Sequence, residues 1–155
     1  MKQVAVLLLV VTIAMTGCKS AAKREKEKQA AQAKKDAQTT ETNADVDFQS
    51  FIGRLRKAIR GRDMNTLAAM MTPDFGYVSG ATGAEDREGE GVFQFWDENG
   101  LWPELEGIIS EKFVKKGEYM VAPAQWANPA LEYTGYRAGI RRVNGSWKFA
   151  YFVNG

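Results

Sequence analysis

The sequence predicts an α+β domain over residues 46–155, with helices first and an antiparallel sheet at the end. Three observations carry that prediction. Phe48, Phe51/Ile52, Leu55 and Ile59 recur at helical spacing, and Met64, Leu67, Ala68 and Met71 repeat it after a short break. Val92 to Asn99 and Trp102 to Ile109 hold a further helical pattern. Tyr133 to Val143 and Ser146 to Val153 instead alternate and are joined by Asn144-Gly145, the pair that suits a two-residue type I′ turn. Helices and strands that occupy separate stretches define α+β.

Each element has a local reason. Asn43 or Asp45 can cap a helix over about 46–60, which Gly61 ends. Asp63 caps a second helix, and Pro73 stops it. Phe75 to Ser79 is a strand, and residues 80–91 (GATGAEDREGEG), with four glycines and four acids, are a surface loop. Pro103 suits the first turn of its helix. Phe113 to Lys115 and Tyr119 to Val121 flank Lys116-Gly117 as a hairpin. Pro123, Asn128 and Pro129 mark an irregular connection that carries Trp126. In the last hairpin, pairing Val143 with Ser146 sets Ile140 opposite Phe149 and Ala138 opposite Tyr151. One face then holds Tyr136, Ala138, Ile140 and Arg142 with Trp147, Phe149, Tyr151 and Val153, and this is the face expected to be buried. Arg137, Arg141 and Lys148 fall on the other face as a solvated basic patch.

Composition narrows the functions. The chain has 155 residues, 21 Lys/Arg, 19 Asp/Glu and no histidine. Without histidine, Ser-His-Asp and Cys-His catalysis and histidine-ligated metals are excluded. The single cysteine, Cys18, excludes an internal disulfide and cysteine-built clusters. Residues 46–155 carry 13 Lys/Arg against 14 Asp/Glu, too even a balance for a nucleic-acid binder.

The first 45 residues are of another kind and hold none of the 17 aromatics. Lys2 precedes an apolar run, Val4 to Ala14, of eleven residues, too short for a membrane span and suited to a signal peptide over 1–17. Met15-Thr16-Gly17-Cys18 resembles the lipobox of bacterial lipoproteins, although Met15 stands where leucine is usual. The resemblance implies acyl chains on Cys18 and a membrane partner. With Lys19 rather than Asp next, it implies the periplasmic face of the outer membrane. Residues 18–45 then form a charged tether rich in Ala, Lys, Glu and Gln, partly helical over 20–38 and more flexible from Thr39 to Asn43.

The order of elements in 46–155, ending in a Trp-bearing hairpin, resembles the NTF2-like superfamily with its SnoaL-like members. That implies a cone in which N-terminal helices pack on a bent antiparallel sheet around an apolar pocket. Enzymes of the family commonly place an Asp with a His or Tyr inside the cone, and the histidine has no counterpart here.

The candidate sites are few. From Asp86 the chain reads DREGEGVFQFWD, and Asp86, Glu88, Glu90 and Asp97 stand at spacings of a calcium-binding EF-hand loop. The long glutamates and the Asp at the last place depart from it, so a solvated acidic loop is expected and no metal or cofactor is assigned. Trp96, Trp102 and Trp126, with Tyr136 and Arg142, are the candidate contacts to a ligand or partner, because exposed indoles stack on rings and an arginine fixes an anion. The competing expectation is that the indoles cover a small core and that Arg142 snorkels from its strand end. Trp147 is expected in the core.

The functional expectation is a lipid-anchored envelope protein whose domain binds a protein, glycan or small ligand without catalysis. One alternative is a pocket enzyme using a carboxylate (Asp74, Asp97 or Glu98) and a tyrosine (Tyr77 or Tyr136), which requires a buried acid. Another is an assembly subunit, which requires an exposed apolar patch. Oligomeric state is open, a dimer included.

Overall fold

The computed structural model describes residues 21–79 and 86–155. Residues 1–20, which hold the expected leader and Cys18, and residues 80–85 lie outside them. The chain divides into two compact units between Thr42 and Asn43. The first helix, α1, spans Ala21–Arg60 and contributes to both.

In the first unit the described residues of α1 with assigned exposure are all exposed, consistent with a stretch that has no apolar stripe. The expected flexible joint at Thr39 to Asn43 is helical. Thr39 and Thr40 donate their hydroxyls to the carbonyls of Lys35 and Asp36 at 2.9 and 2.8 Å, which satisfies them without leaving the helix. Neither Asn43 nor Asp45 caps a new helix, since both lie inside α1.

In the second unit α1 turns Phe48, Phe51, Ile52, Leu55, Ala58 and Ile59 into the core. Helix α2 spans Met64–Met70. Asp63 caps it, its carboxylate accepting from the Thr66 amide at 3.0 Å and the Thr66 hydroxyl at 2.7 Å. Strand β1, Met71–Val78, begins before Pro73, and the two-residue strand β2, Arg87–Glu88, pairs with it. Helices α3, Val92–Glu98, and α4, Trp102–Ser110, follow, with Pro103 in the first turn of α4. Strands β3, Val114–Lys116, and β4, Tyr119–Ala122, make a hairpin, but Lys116 pairs with Tyr119, so the turn is Gly117-Glu118 rather than the expected Lys116-Gly117. A 3-10 turn at Ala124–Ala127 carries Trp126, and β5, Arg137–Val143, and β6, Ser146–Val153, close the chain.

The six strands form one sheet in the order β2-β1-β6-β5-β4-β3. It is mixed rather than wholly antiparallel, because β1 lies parallel to β6. The long α3–α4 excursion between β1 and the later strands makes that pairing reachable.

The last hairpin turns at Asn144 and Gly145, with φ of 50° and 81°, as a type I′ turn requires. Val143 pairs with Ser146 and Ile140 with Phe149 as expected. Beyond that point the expected register fails. Gly139 pairs with Tyr151 and Ala138 with Phe152, leaving Ala150 as an extra residue in β6. This bulge reverses the facing of everything after it. Phe152 enters the core, and Tyr151 turns to the opposite side.

The core between helices and sheet is built around aromatic rings, and a groove of about 470 Å³ opens at its edge over Met71, Phe75, Val92 and Phe93. Trp96 is fully buried at its centre, with the rings of Phe75, Phe93, Trp102 and Phe152 at 5.9, 5.7, 5.2 and 5.9 Å. These are mostly edge-on contacts, the favoured geometry for aromatic pairs.

On the other side of the sheet Tyr151 lies across Gly139 so closely that a Cβ there would overlap its ring. Gly139→Ala is expected to push Tyr151 off the sheet and cost about 1–3 kcal/mol. In a Tyr151→Ala background the same glycine substitution should cost little, with the four proteins of the cycle compared by urea unfolding. Additive losses would show that the ring is not what the alanine strikes.

Candidate functional site

The outward face of the sheet is built by strand register. Lys116, Tyr119, Arg141 and Lys148 stand in one cross-strand row through β3, β4, β5 and β6. Val114, Val121, Gly139 and Tyr151 form the next. Arg137 begins β5 opposite Val153. This is the side that the sequence assigned to solvent as a basic patch. The structure covers it instead, because the bulge delivers Tyr151 there and the β4–β5 connection lays Trp126 over it.

The result is a layer of aromatic rings and cations. Arg137 is 7% exposed, and its guanidinium carbon sits 4.1 Å from the Trp126 ring centroid. The Lys116 ammonium is 3.3 Å from the same centroid and donates to the Trp126 carbonyl at 2.7 Å. Cations over an indole face gain from its quadrupole, most of all when desolvated. Tyr119 and Tyr151 approach at 5.4 Å. Arg141 pairs with Asp74 at 2.9 Å and reaches the Tyr119 hydroxyl. The Lys148 ammonium donates to the Ala69 carbonyl at 2.6 Å. Tyr133 donates to the Tyr136 carbonyl at 2.8 Å, which ties down the end of the connection.

Protonation follows burial. Desolvation holds the Arg137 guanidinium below its ordinary value. Burial, and then the Arg137 charge, do the same to the Lys116 amine. Burial, with Glu111 and Glu104 adding to it, raises the Tyr133 phenol, and burial also raises Tyr151.

The sequence candidates are placed as follows. Trp96 and Trp102 are core residues, 0% and 5% exposed, and the expectation of exposed indoles there is corrected by the aromatic cluster that encloses them. Trp102 donates to Asp97 at 2.7 Å. Trp126 alone of the three meets the outward face. Tyr136 is half-buried and stacks on Phe152 at 4.9 Å, apart from Trp126. Arg142 snorkels at its strand end. It lies 4.5 Å over Trp147, donates to the Gly145 carbonyl at 2.7 Å and faces Asp47 at 3.6 Å. Sequence reasoning passed over Arg137, Lys116 and Tyr151. The alternating pattern named Arg137 but placed it in solvent, and no local signal marked Lys116.

The EF-hand resemblance dissolves into other structure. Arg87–Glu88 is a strand, Asp97 serves Trp102, and no three acidic, histidine or cysteine side chains among the described residues gather where they could hold a metal. Among the described residues the buried polar ones are Thr72 and Arg137, so the buried charge is a cation and not a carboxylate. Among the described residues the large apolar ones that stand exposed are Val46 and Leu131, too few for a patch. A groove of about 520 Å³ opens between α1, the end of α4 with residues 111–113, and Met120 of β4, over Phe48, Ile52 and Phe113. Its arginine, Arg56, is already spent on the last carbonyls of α4, Ile109 at 3.0 Å and Ser110 at 3.3 Å.

No protein-family model matches the chain, and no curated protein matches it. Solved structures similar to it include an NTF2-like protein of unknown function from Pseudomonas putida KT2440, at 17% identity over 72% of this chain and 85% of that one, with a TM-score of 0.38. Wild-type IdmH from Streptomyces antibioticus, a candidate polyketide cyclase, is 15% identical over 68% of this chain and 88% of that one, with a TM-score of 0.31. Neither likeness bears on the site.

The depressed Lys116 amine makes a prediction with a definite sign. Its folded pKa is below the ordinary 10.5, so between the two values the unfolded chain binds the extra proton. Below that window the charged amine costs stability in full, and the cost fades as pH rises through it. Comparing wild type with Lys116→Met in urea, from pH 7 upward, the difference is expected to move in favour of wild type. A difference that ignores pH, or moves the other way, would show that the amine is not held in a desolvated place.

Proposed function

We propose that the chain is a lipid-anchored envelope protein whose NTF2-like α+β domain binds a partner or small ligand through the outward face of its sheet, without catalysing a reaction. The observation that carries the binding part is Arg137, a cation buried at 7% exposure with an unpartnered nitrogen beneath Trp126. Removing a charge from water is costly unless something answers it, so an unanswered one is a standing invitation to a ligand. The ring contacts that enclose Trp96 favour a surface as the place of contact.

The anchor rests on Met15-Thr16-Gly17-Cys18 after the apolar run. Among the described residues no helix is long and apolar enough to cross a membrane, so attachment would come from acyl chains on Cys18. Several chains give lasting attachment where a single one does not. The outer membrane, through Lys19, is the favoured address.

Two experiments test the two parts. Cys18→Ala is expected to abolish labelling by a fatty-acid probe and to move the protein out of the membrane fraction. Retention in that fraction would remove the anchor. A photo-cross-linking residue at Leu131, 50% exposed near Trp126 in the chain, is expected to give a discrete adduct in cells, a shifted band for a protein or a small mass increment for a ligand. The same residue at Lys57 on α1 should give none. Equal yields from both positions, or none from Leu131, would count against the outward face.

A further inference from the structure

We infer that Arg137, Lys116 and Trp126 form a binding site for an oxyanion, a carboxylate or phosphate carried by the ligand. This rests on the outward face being the binding surface, and it names the chemistry that the face takes.

The case begins with how this protein treats its other cations. Arg141 has Asp74 for its charge although its Nε is buried without a partner, Arg60 has Glu106 at 2.7 Å, Arg142 has the Gly145 carbonyl and Asp47, and Lys148 has the Ala69 carbonyl. Arg137 is more buried than any of them. Its Nη1 is sealed from solvent and has no hydrogen-bond partner, and no ion pair among the described residues involves it. The groups that face it are aromatic, phenolic or cationic. Trp126 covers it, Tyr133 and Tyr151 act on it electrostatically, and Lys116 adds a second positive charge. Glu104 and Glu111 act on the Tyr133 phenol, and neither forms an ion pair with Arg137. Two cations sharing one indole, with no acid to separate them, are a local excess of positive charge.

The chemistry that removes such an excess is an anion with two oxygens. A guanidinium is a planar fork of donors that matches carboxylate and phosphate, and a lysine beside it adds a point charge. The indole provides a flat wall for whatever carries the anion, and Trp126 would report its arrival. The lowered proton affinity of Arg137 and Lys116 agrees with this, since an arriving anion reverses the cost of charging them.

The test uses the purified full chain. Tryptophan fluorescence and melting temperature are followed while sodium acetate, sodium benzoate or inorganic phosphate is added at ionic strength held constant with sodium chloride. A saturable fluorescence change with a matching rise in melting temperature is expected for at least one oxyanion. Saturation by acetate and benzoate alone identifies a carboxylate, and by phosphate alone a phosphate. Arg137→Met is expected to weaken binding at least tenfold while melting no lower than wild type without anion, because a buried cation lacking its partner is not a source of stability. Arg137→Lys keeps the charge and loses the fork, so it should fold and bind about tenfold more weakly, which holds the test open should the methionine variant not fold. Arg60→Met, which removes a paired cation of α1 away from the sheet's outward face, should bind as wild type does. No saturable change with any of the three anions, or equal binding by wild type and both Arg137 variants, overturns the site. If that happens while Leu131 still cross-links, the oxyanion falls and the face stands. If anions bind and Leu131 captures nothing larger, the ligand is small.

Discussion

The extra residue in β6 governs which side of the sheet its last residues face. Side chains along a strand alternate, so one unpaired position, Ala150, exchanges the faces of Tyr151, Phe152 and Val153. Phe152 then reaches Trp96 in the core, while Tyr151 lands on the outward face, where Gly139 leaves room for its ring. With the bulge removed, Tyr151 would point at the helices and Phe152 at solvent. The fold therefore depends on a local irregularity paired with a residue that lacks a side chain.

Both faces of the sheet become hydrophobic as a consequence, by different means. The helix side is closed by α1, α2, α3 and α4 around Trp96 and Phe75, with buried aliphatic and aromatic side chains. The outward side is closed by Tyr119, Tyr151 and the Trp126 turn, with the stems and charges of Arg137, Lys116 and Arg141 laid among the rings. Val121 and Val153, 1% and 9% exposed, are buried outside the helix-side core. A covering made of rings and cations is less uniform than a helix, and its charges must be answered one by one. Arg141 is answered from β1 by Asp74 and Arg137 is not, which makes the Arg137 end the place where the fold is electrostatically unfinished. Buried charge of this kind is commonly kept at a cost to stability where function uses it.

The two sides also separate what different functions would need. Chemistry inside the helix-side core would need a buried acid and room beside it. That volume instead holds Trp96, Trp102 and Phe152, and the candidate acids are elsewhere: Asp74 on Arg141, Asp97 on Trp102 and Glu98 on Gln94. The outward side offers donors and rings, suited to recognition.

What the sequence determined by itself is what short-range physics decides. Helical spacing and the Asp63 cap located the helices of the second unit, Asn144-Gly145 set the hairpin turn and the first pairs of its register, and composition removed histidine chemistry. The resemblance to the NTF2-like superfamily rested on the order of those elements. What only the tertiary structure decided depends on contacts distant in the chain. Ala150 looks like any strand residue, and its bulge exists because Phe152 fits the Trp96 cluster and Tyr151 fits Gly139. The parallel pairing of β1 with β6 joins residues more than seventy positions apart. Trp96 and Trp102 read as candidate contacts until α3 and α4 folded them inward. Arg137 read as a surface charge until Trp126, eleven residues earlier and in an irregular segment, was laid over it. No periodicity encodes that meeting, because it depends on where a loop returns to the sheet.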